Sequence, residues 1–167
     1  MPRAVPIIVA SGNGASAMAA GMRILARGGS ALDAVEACAR IVEADPLDTS
    51  VGRGGKPNVL GAVELDASIM DGRALRTGAV AALRGYLHPI SVARAVMERT
   101  PHVLLVGEGA ARFAREIGAE RARNLTASTR KLWASGYARR ARRRGASGAG
   151  RSCCRWCAGP RATSAAR

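Results

Sequence analysis

Aromatic residues are almost absent from this 167-residue chain: one Phe, two Tyr and two Trp make up 3% of it. Any interior it builds has to be aliphatic, drawn from Ala, Val, Leu, Ile and Met. No stretch approaches the roughly 20 consecutive apolar residues of a membrane span. The short run in MPRAVPIIVA passes into SGNG too soon for a secretory signal. A soluble, cytoplasmic protein with no membrane partner is the expectation. Histidine occurs only at 88 and 102, each beside a proline and neither with ligand partners at metal spacing. Of the four cysteines, Cys38 falls in a helical apolar stripe, the place of a small buried hydrophobe. Cys154-x-x-Cys157, with Cys153 beside it, is half of a zinc knuckle or redox pair, with no second pair to complete it. No metal and no cofactor is expected.

Acidic residues are missing from one region altogether. The net charge of +14 divides unevenly: residues 135–167 carry nine of the 26 basic residues and none of the 12 acids, which leaves 1–134 near +5. That tail holds Arg, Ala, Gly, Ser, Cys and Pro, and almost nothing aliphatic larger than Ala. It buries too little apolar surface to offset its ordering entropy, so disorder is expected. Two regions follow, 1–134 and a basic tail, 135–167.

The first region alternates strand-like and helix-like stretches. Val5–Val9 is a short apolar run, the pattern of a buried strand. Residues 15–27 are helix formers with Met18, Met22 and Leu25 on one side, stopped by Gly28-Gly29. Ser30 caps the next helix with Asp33 three residues on. Leu32, Val35, Cys38 and Val42 give it a core-facing stripe, and Asp45-Pro46 ends it. In 62–70, Val63, Leu65 and Ile69 alternate with Glu64, Asp66 and Ser68. A turn at Asp71-Gly72 then returns the chain through 76–83 as an antiparallel strand. Pro89 opens a helix through Arg99, His102–Val106 is a strand, and Glu108–Ile117 a further helix.

Two glycine patterns carry less than they suggest. VGRGGKPN at 51–58 has Pro57 where a phosphate-binding loop needs Ser or Thr after its Lys, and proline removes a donor. VLLVGEGAARFA at 103–114 runs strand, GxG, helix, but Arg112 holds the third glycine position of a dinucleotide fingerprint. These elements fit several α/β and α+β folds, and periodicity does not choose among them.

Five blocks do choose: SGNG (11–14), GGSALDAVEA (28–37), DPLDTSVGRGG (45–55), VELDASIMDG (63–72) and PHVLLVGEGAARFA (101–114). In that order they resemble the α-subunit portion of the glycosylasparaginases and the isoaspartyl peptidase/L-asparaginases, a family of N-terminal-nucleophile hydrolases. The resemblance implies an α+β fold, the α-subunit half of a four-layer αββα sandwich in which two stacked sheets lie between helical layers. It also implies the chemistry. A threonine freed by autoproteolysis attacks the amide carbonyl of N4-(β-N-acetylglucosaminyl)-L-asparagine, a β-aspartyl peptide or L-asparagine. Its own α-amino group takes the proton, and a donor-lined site holds the oxyanion.

The family's threonine segment, of the type His-Asp-Thr-(Ile/Val)-Gly, does not occur in this sequence. Thr49, in Asp48-Thr49-Ser50, aligns with an α-segment loop upstream of the cleavage point and is expected to cap that loop. Thr77 falls in RTGAVAAL, on a strand expected to be buried. No catalytic residue is assigned. Ser11 and Asn13 are the candidate substrate-side groups, because SGNG stands between strand and helix where some relatives carry aromatic residues that contact substrate. The small residues leave room for smaller amide or isoaspartyl substrates. The implied partner is a β-subunit segment in an αβ pairing, and the chain alone is expected to be inactive. The composition break after 134 reads as truncation or a frameshift in a GC-rich gene. An alternative, nonspecific nucleic-acid binding, rests on the tail arginines and the lone Trp156, too thin an aromatic platform for such a module.

Overall fold

The computed structural model describes residues 5–137. Residues 138–167, with Cys153, Cys154, Trp156 and Cys157, lie outside them, so the disorder expected of the tail falls almost wholly beyond the described region. The architecture is α+β. A 3-10 turn (Gly12–Ala17) leads into α1 (Met18–Ala26) and α2 (Ala31–Ala44). A long loop then reaches β1 (Leu65–Asp71) and β2 (Arg76–Leu83), followed by α3 (Pro89–Arg99), β3 (Leu104–Val106), α4 (Gly107–Glu116) and α5 (Ala127–Leu132).

Local chemistry sets most of these boundaries. Gly28 takes φ +82°, the left-handed conformation that ends α1 without a Cβ penalty. Ser30 and Asp33 form a full capping box on α2: the Ser30 hydroxyl accepts the Asp33 amide at 3.0 Å and the Asp33 carboxylate accepts the Ser30 amide at 3.3 Å. Such a cap stabilises a helix by about 1 kcal/mol. Pro89 stands in the first turn of α3, where its missing donor costs nothing.

Among the described residues there is one three-stranded sheet, in the order β1-β2-β3. β1 and β2 pair antiparallel with Ile69 opposite Gly78, and β3 joins β2 in parallel, Val80 opposite Leu105. The β1 alternation holds: Val63, Leu65 and Ile69 are buried, while Glu64, Asp66 and Ser68 are exposed. Helices α3 and α4 cover this inner face. Val92, Ala93, Val96 and Met97 from α3, and Ala110 and Ala114 from α4, pack with Ile69, Val80 and Leu83 into one aliphatic core. Tyr86 is the one fully buried aromatic there, its hydroxyl donating to the Ala111 carbonyl at 2.9 Å. The opposite face of the sheet is bare, with Met70, Leu104 and Val106 at least half exposed.

Three expectations are corrected. Val5–Val9 forms no strand, and Val5, Ile7 and Val9 are 79–90% exposed. A strand is made by its neighbour, and none of the three strands lies beside this run. On α1 and α2 the stripe holds only in part: Met18, Leu25, Leu32, Cys38 and Val42 are half-buried, but Met22 and Val35 face solvent, and the fully buried positions are Gly21, Ala34 and Glu43. The two helices meet where a Cβ on Gly21 would come within 2.6 Å of Cys38 Sγ, so their closest contact runs through small residues. Thr77 is on β2 as read but exposed, its hydroxyl donating to the Ile69 carbonyl at 3.0 Å.

Candidate functional site

Ser11 and Asn13 sit where the run before residue 11 turns into the 3-10 segment, a turn closed by the Gly14 amide donating to the Ser11 carbonyl at 2.9 Å. The Ser11 hydroxyl donates to Asn13 Oδ1 at 2.6 Å, which orients the amide. Asn13 Nδ2 then reaches across 35 residues to the loop after α2, donating to Asp48 Oδ2 at 3.2 Å and to Ser50 Oγ at 3.1 Å. Asp48 caps its own loop by accepting the Ser50 amide at 2.7 Å, and it also accepts the Ser50 hydroxyl. The four side chains form one exposed polar cluster.

The cluster joins two segments that sequence reasoning considered apart. Ser11 and Asn13 were singled out; Asp48 and Ser50 were missed. Their signal was present, since Asp-x-Ser is the pattern by which an Asx turn closes on the amide two residues on. Thr49, the expected loop cap, contributes its carbonyl to the Lys56 amide at 3.1 Å, and the capping side chain is Asp48.

The Ser50 hydroxyl, the Ser50 amide and Asn13 together hold the Asp48 carboxyl below its ordinary range, the hydroxyl contributing most. Ser50→Ala is expected to raise the Asp48 pKa more than Asn13→Ala does, as read by carboxyl carbon shifts across an acid titration. Equal effects would contradict the arrangement.

Four successive amides of the glycine-rich loop behind the cluster are committed within the fold and cannot cradle a phosphate. The amides of Arg53, Gly54, Gly55 and Lys56 donate to the carbonyls of Glu43, Asn124, Gly52 and Thr49. Gly52 (φ +55°) lies so close to α2 that a Cβ there would stand 2.1 Å from the Glu43 carbonyl oxygen. The loop is thus pinned to the C-terminal end of α2. Farther on, the face of Gly61 meets the Trp133 ring, whose Nε1 donates to the Val59 carbonyl at 3.4 Å.

His102 is exposed, and no group of three or more His, Cys, Asp or Glu that could hold a metal ion occurs among the described residues. His88 is buried against Glu43, far from the Ser11–Asn13 cluster in chemistry: its contacts are Glu43 at 3.3 Å and Glu120 at 3.9 Å. No helix of the described residues is long and apolar enough to cross a membrane.

A family model described as asparaginase matches residues 11–155, a span that runs past the composition break after 134. The chain is 49% identical over 129 residues to an N(4)-(β-N-acetylglucosaminyl)-L-asparaginase of Elizabethkingia miricola, covering 77% of this chain and 38% of that protein. It is 49% identical over 104 residues to the mouse isoaspartyl peptidase/L-asparaginase, covering 62% of this chain and 32% of that one. A plant-type L-asparaginase of Thermococcus kodakarensis is 50% identical over 117 residues, 70% of this chain and 38% of its own length. The chain therefore spans little more than a third of the curated relatives it matches.

Proposed function

This chain belongs to the asparaginase family, and on that premise we propose that it forms the α-segment half of an N-terminal-nucleophile amidohydrolase. The reaction is hydrolysis of a side-chain amide or β-aspartyl bond, with the attacking threonine supplied by a β segment whose motif these 167 residues do not contain. One observation carries the reading. The sheet's outer face leaves large aliphatic side chains bare among the polar Asp66, Ser68 and Thr77: Met70 is 59% exposed, Leu104 50% and Val106 54%. Aliphatic residues on a strand face are stabilised only by a layer packed over them. The second sheet of a four-layer αββα sandwich is such a layer.

In this reading the chain's own residues position rather than attack. Asn13, fixed by Ser11 and tethered to Asp48 and Ser50, holds the SGNG turn against the loop after α2. That turn presents small, polar groups to the substrate side, which suits a compact amide better than a bulky glycan-linked one. The threonine's α-amine acts as base and its hydroxyl as nucleophile, both arriving on the partner segment.

The test is complementation. Full-length chain alone is expected to release no ammonia from L-asparagine and no aspartate from a β-aspartyl dipeptide above a blank. Co-folded with a threonine-starting β segment taken from the Elizabethkingia relative, it should gain secondary structure and turnover together. Activity in the chain by itself sinks the proposal, and so does a mixture that stays inert while both segments remain folded and bound.

A further inference from the structure

Helix α3 begins without a cap of its own. His88, at its N-cap position, makes no side-chain capping bond, yet the first amides of a helix need acceptors. The acceptor comes from another helix: Glu43, in the last turn of α2, takes the Ile90 amide on Oε1 at 3.0 Å. Its second oxygen, Oε2, lies 3.3 Å from His88 Nδ1. Both side chains are over nine-tenths buried. Glu43 is also the residue on which the glycine-rich loop docks, since its carbonyl accepts the Arg53 amide at 2.7 Å. One buried residue therefore joins three parts of the fold: its carboxyl holds the start of α3, and its backbone carbonyl, at the end of α2, holds the loop that leads to Asp48 and Ser50.

We infer that Glu43, as a neutral carboxylic acid, and His88, as its Nε2–H tautomer, form a one-proton clasp between α2 and α3. With both side chains buried, an ion pair here would carry a large desolvation cost, and a neutral pattern satisfies the same contacts. The carbonyl oxygen accepts the Ile90 amide, the hydroxyl donates to His88 Nδ1, and His88 Nε2–H is left directed toward the Glu120 carboxylate at 3.9 Å. Burial pushes the Glu43 carboxyl up to about 8 and pushes His88 down, so neither is charged near neutrality. The surrounding charges nearly balance. Glu36 and Arg40 from α2, Arg94, Glu98 and Arg99 from α3 and Glu120 from the segment after α4 line, with His88, a cavity of about 460 Å³. Above about pH 8 the clasp loses its proton, a carboxylate is left in a desolvated position, and the start of α3 and the docked loop loosen together. This holds whichever amide the family chemistry acts on.

The proton's position is read by long-range proton–nitrogen correlation of the full chain labelled at histidine, with a His102→Gln background to assign His88. At pH 7 an unprotonated Nδ1 and a protonated Nε2 are expected; two protonated nitrogens, or the reverse tautomer, overturn the inference. Hydrogen–deuterium exchange gives the second reading, after correction for the intrinsic pH dependence. Peptides spanning 88–92 and 51–55 should lose at least tenfold protection between pH 6.5 and 9 in the wild type. In Glu43→Gln, whose amide makes the same two hydrogen bonds without a titratable proton, they should stay constant. Superimposed wild-type and variant curves, or peptides that exchange at the unprotected rate at every pH, overturn it.

Discussion

Replacing Gly78 with alanine separates α3 from the sheet and removes cooperative unfolding at room temperature. A Cβ at that position would stand 2.3 Å from the Ala93 carbonyl oxygen and 2.5 Å from the Met97 amide nitrogen. Both are backbone atoms of α3, so no side-chain rotation relieves the contact and the helix itself has to move. Moving it uncovers Val92 and Val96, each fully buried, and the Val80 beneath them. Overpacking a filled core ordinarily costs about 1–3 kcal/mol. A backbone-to-backbone clash at the centre of the only described sheet should reach or exceed about 3 kcal/mol, a large share of a small domain's stability. Gly72→Ala is the control: nothing lies within 4 Å of its added Cβ, and a change within about 0.5 kcal/mol is expected. Urea unfolding followed by circular dichroism decides between them, and similar midpoints for the two variants would refute the packing described.

The stability of the folded chain should fall as pH rises from about 6.5 to 8, and Glu43→Gln should reverse the sense of its pH dependence. Glu43 has its folded value raised from 4.5 to about 8, so its contribution is full at low pH and is lost as pH climbs through that range. His88 has its folded value lowered from 6.5, so its penalty is present at low pH and disappears as pH rises to 6.5. Below 6.5 the two slopes therefore oppose one another, the Glu43 contribution falling with pH and the His88 penalty easing. Above 6.5 the unfolded histidine is neutral, only the folded glutamic acid still binds a proton, and about 2 kcal/mol is lost by pH 8. Glu43→Gln removes the falling limb and exposes the histidine's rising one below 6.5. At the acid end Asp33, Asp48 and Glu64, all lowered by their hydrogen-bonding partners, add a loss as they protonate. A wild-type midpoint that rises between pH 6.5 and 8 would contradict this assignment.

The parts of the fold that were legible in the sequence are those decided locally. The Ser30–Asp33 capping box, the Gly28 stop, the Pro89 start and the 65–83 hairpin depend on residues a few positions apart, and all appear as read. Elements decided by a distant neighbour were not legible. Val5–Val9 has a strand's composition without a strand's partner. On α2, Leu32, Cys38 and Val42 are half-buried as expected, but Val35 is exposed and Ala34 covered, because that helix meets both α1 and α3. Of the candidate site, Ser11 and Asn13 could be named from their place before a helix. Their tie to Asp48 and Ser50 could not, because it exists only once the loop after α2 folds back. Glu43 left one faint trace. An acid in the last turn of a helix opposes the macrodipole, and α2 has no basic residue there to offset it. A charge placed against the local field is a reason to look for a partner elsewhere in the molecule.

The indole of Trp133 rests on Gly61, at the rim of the glycine-rich region and away from the aliphatic interior. In a Trp156→Phe variant, whose emission comes from Trp133 alone, fluorescence would therefore track undocking of residues 133–137 from the 58–62 bend, while circular dichroism tracks the loss of α3 and its sheet. Two optical signals from one sample would then yield two melting curves, and their separation would measure how loosely the periphery is coupled to the centre.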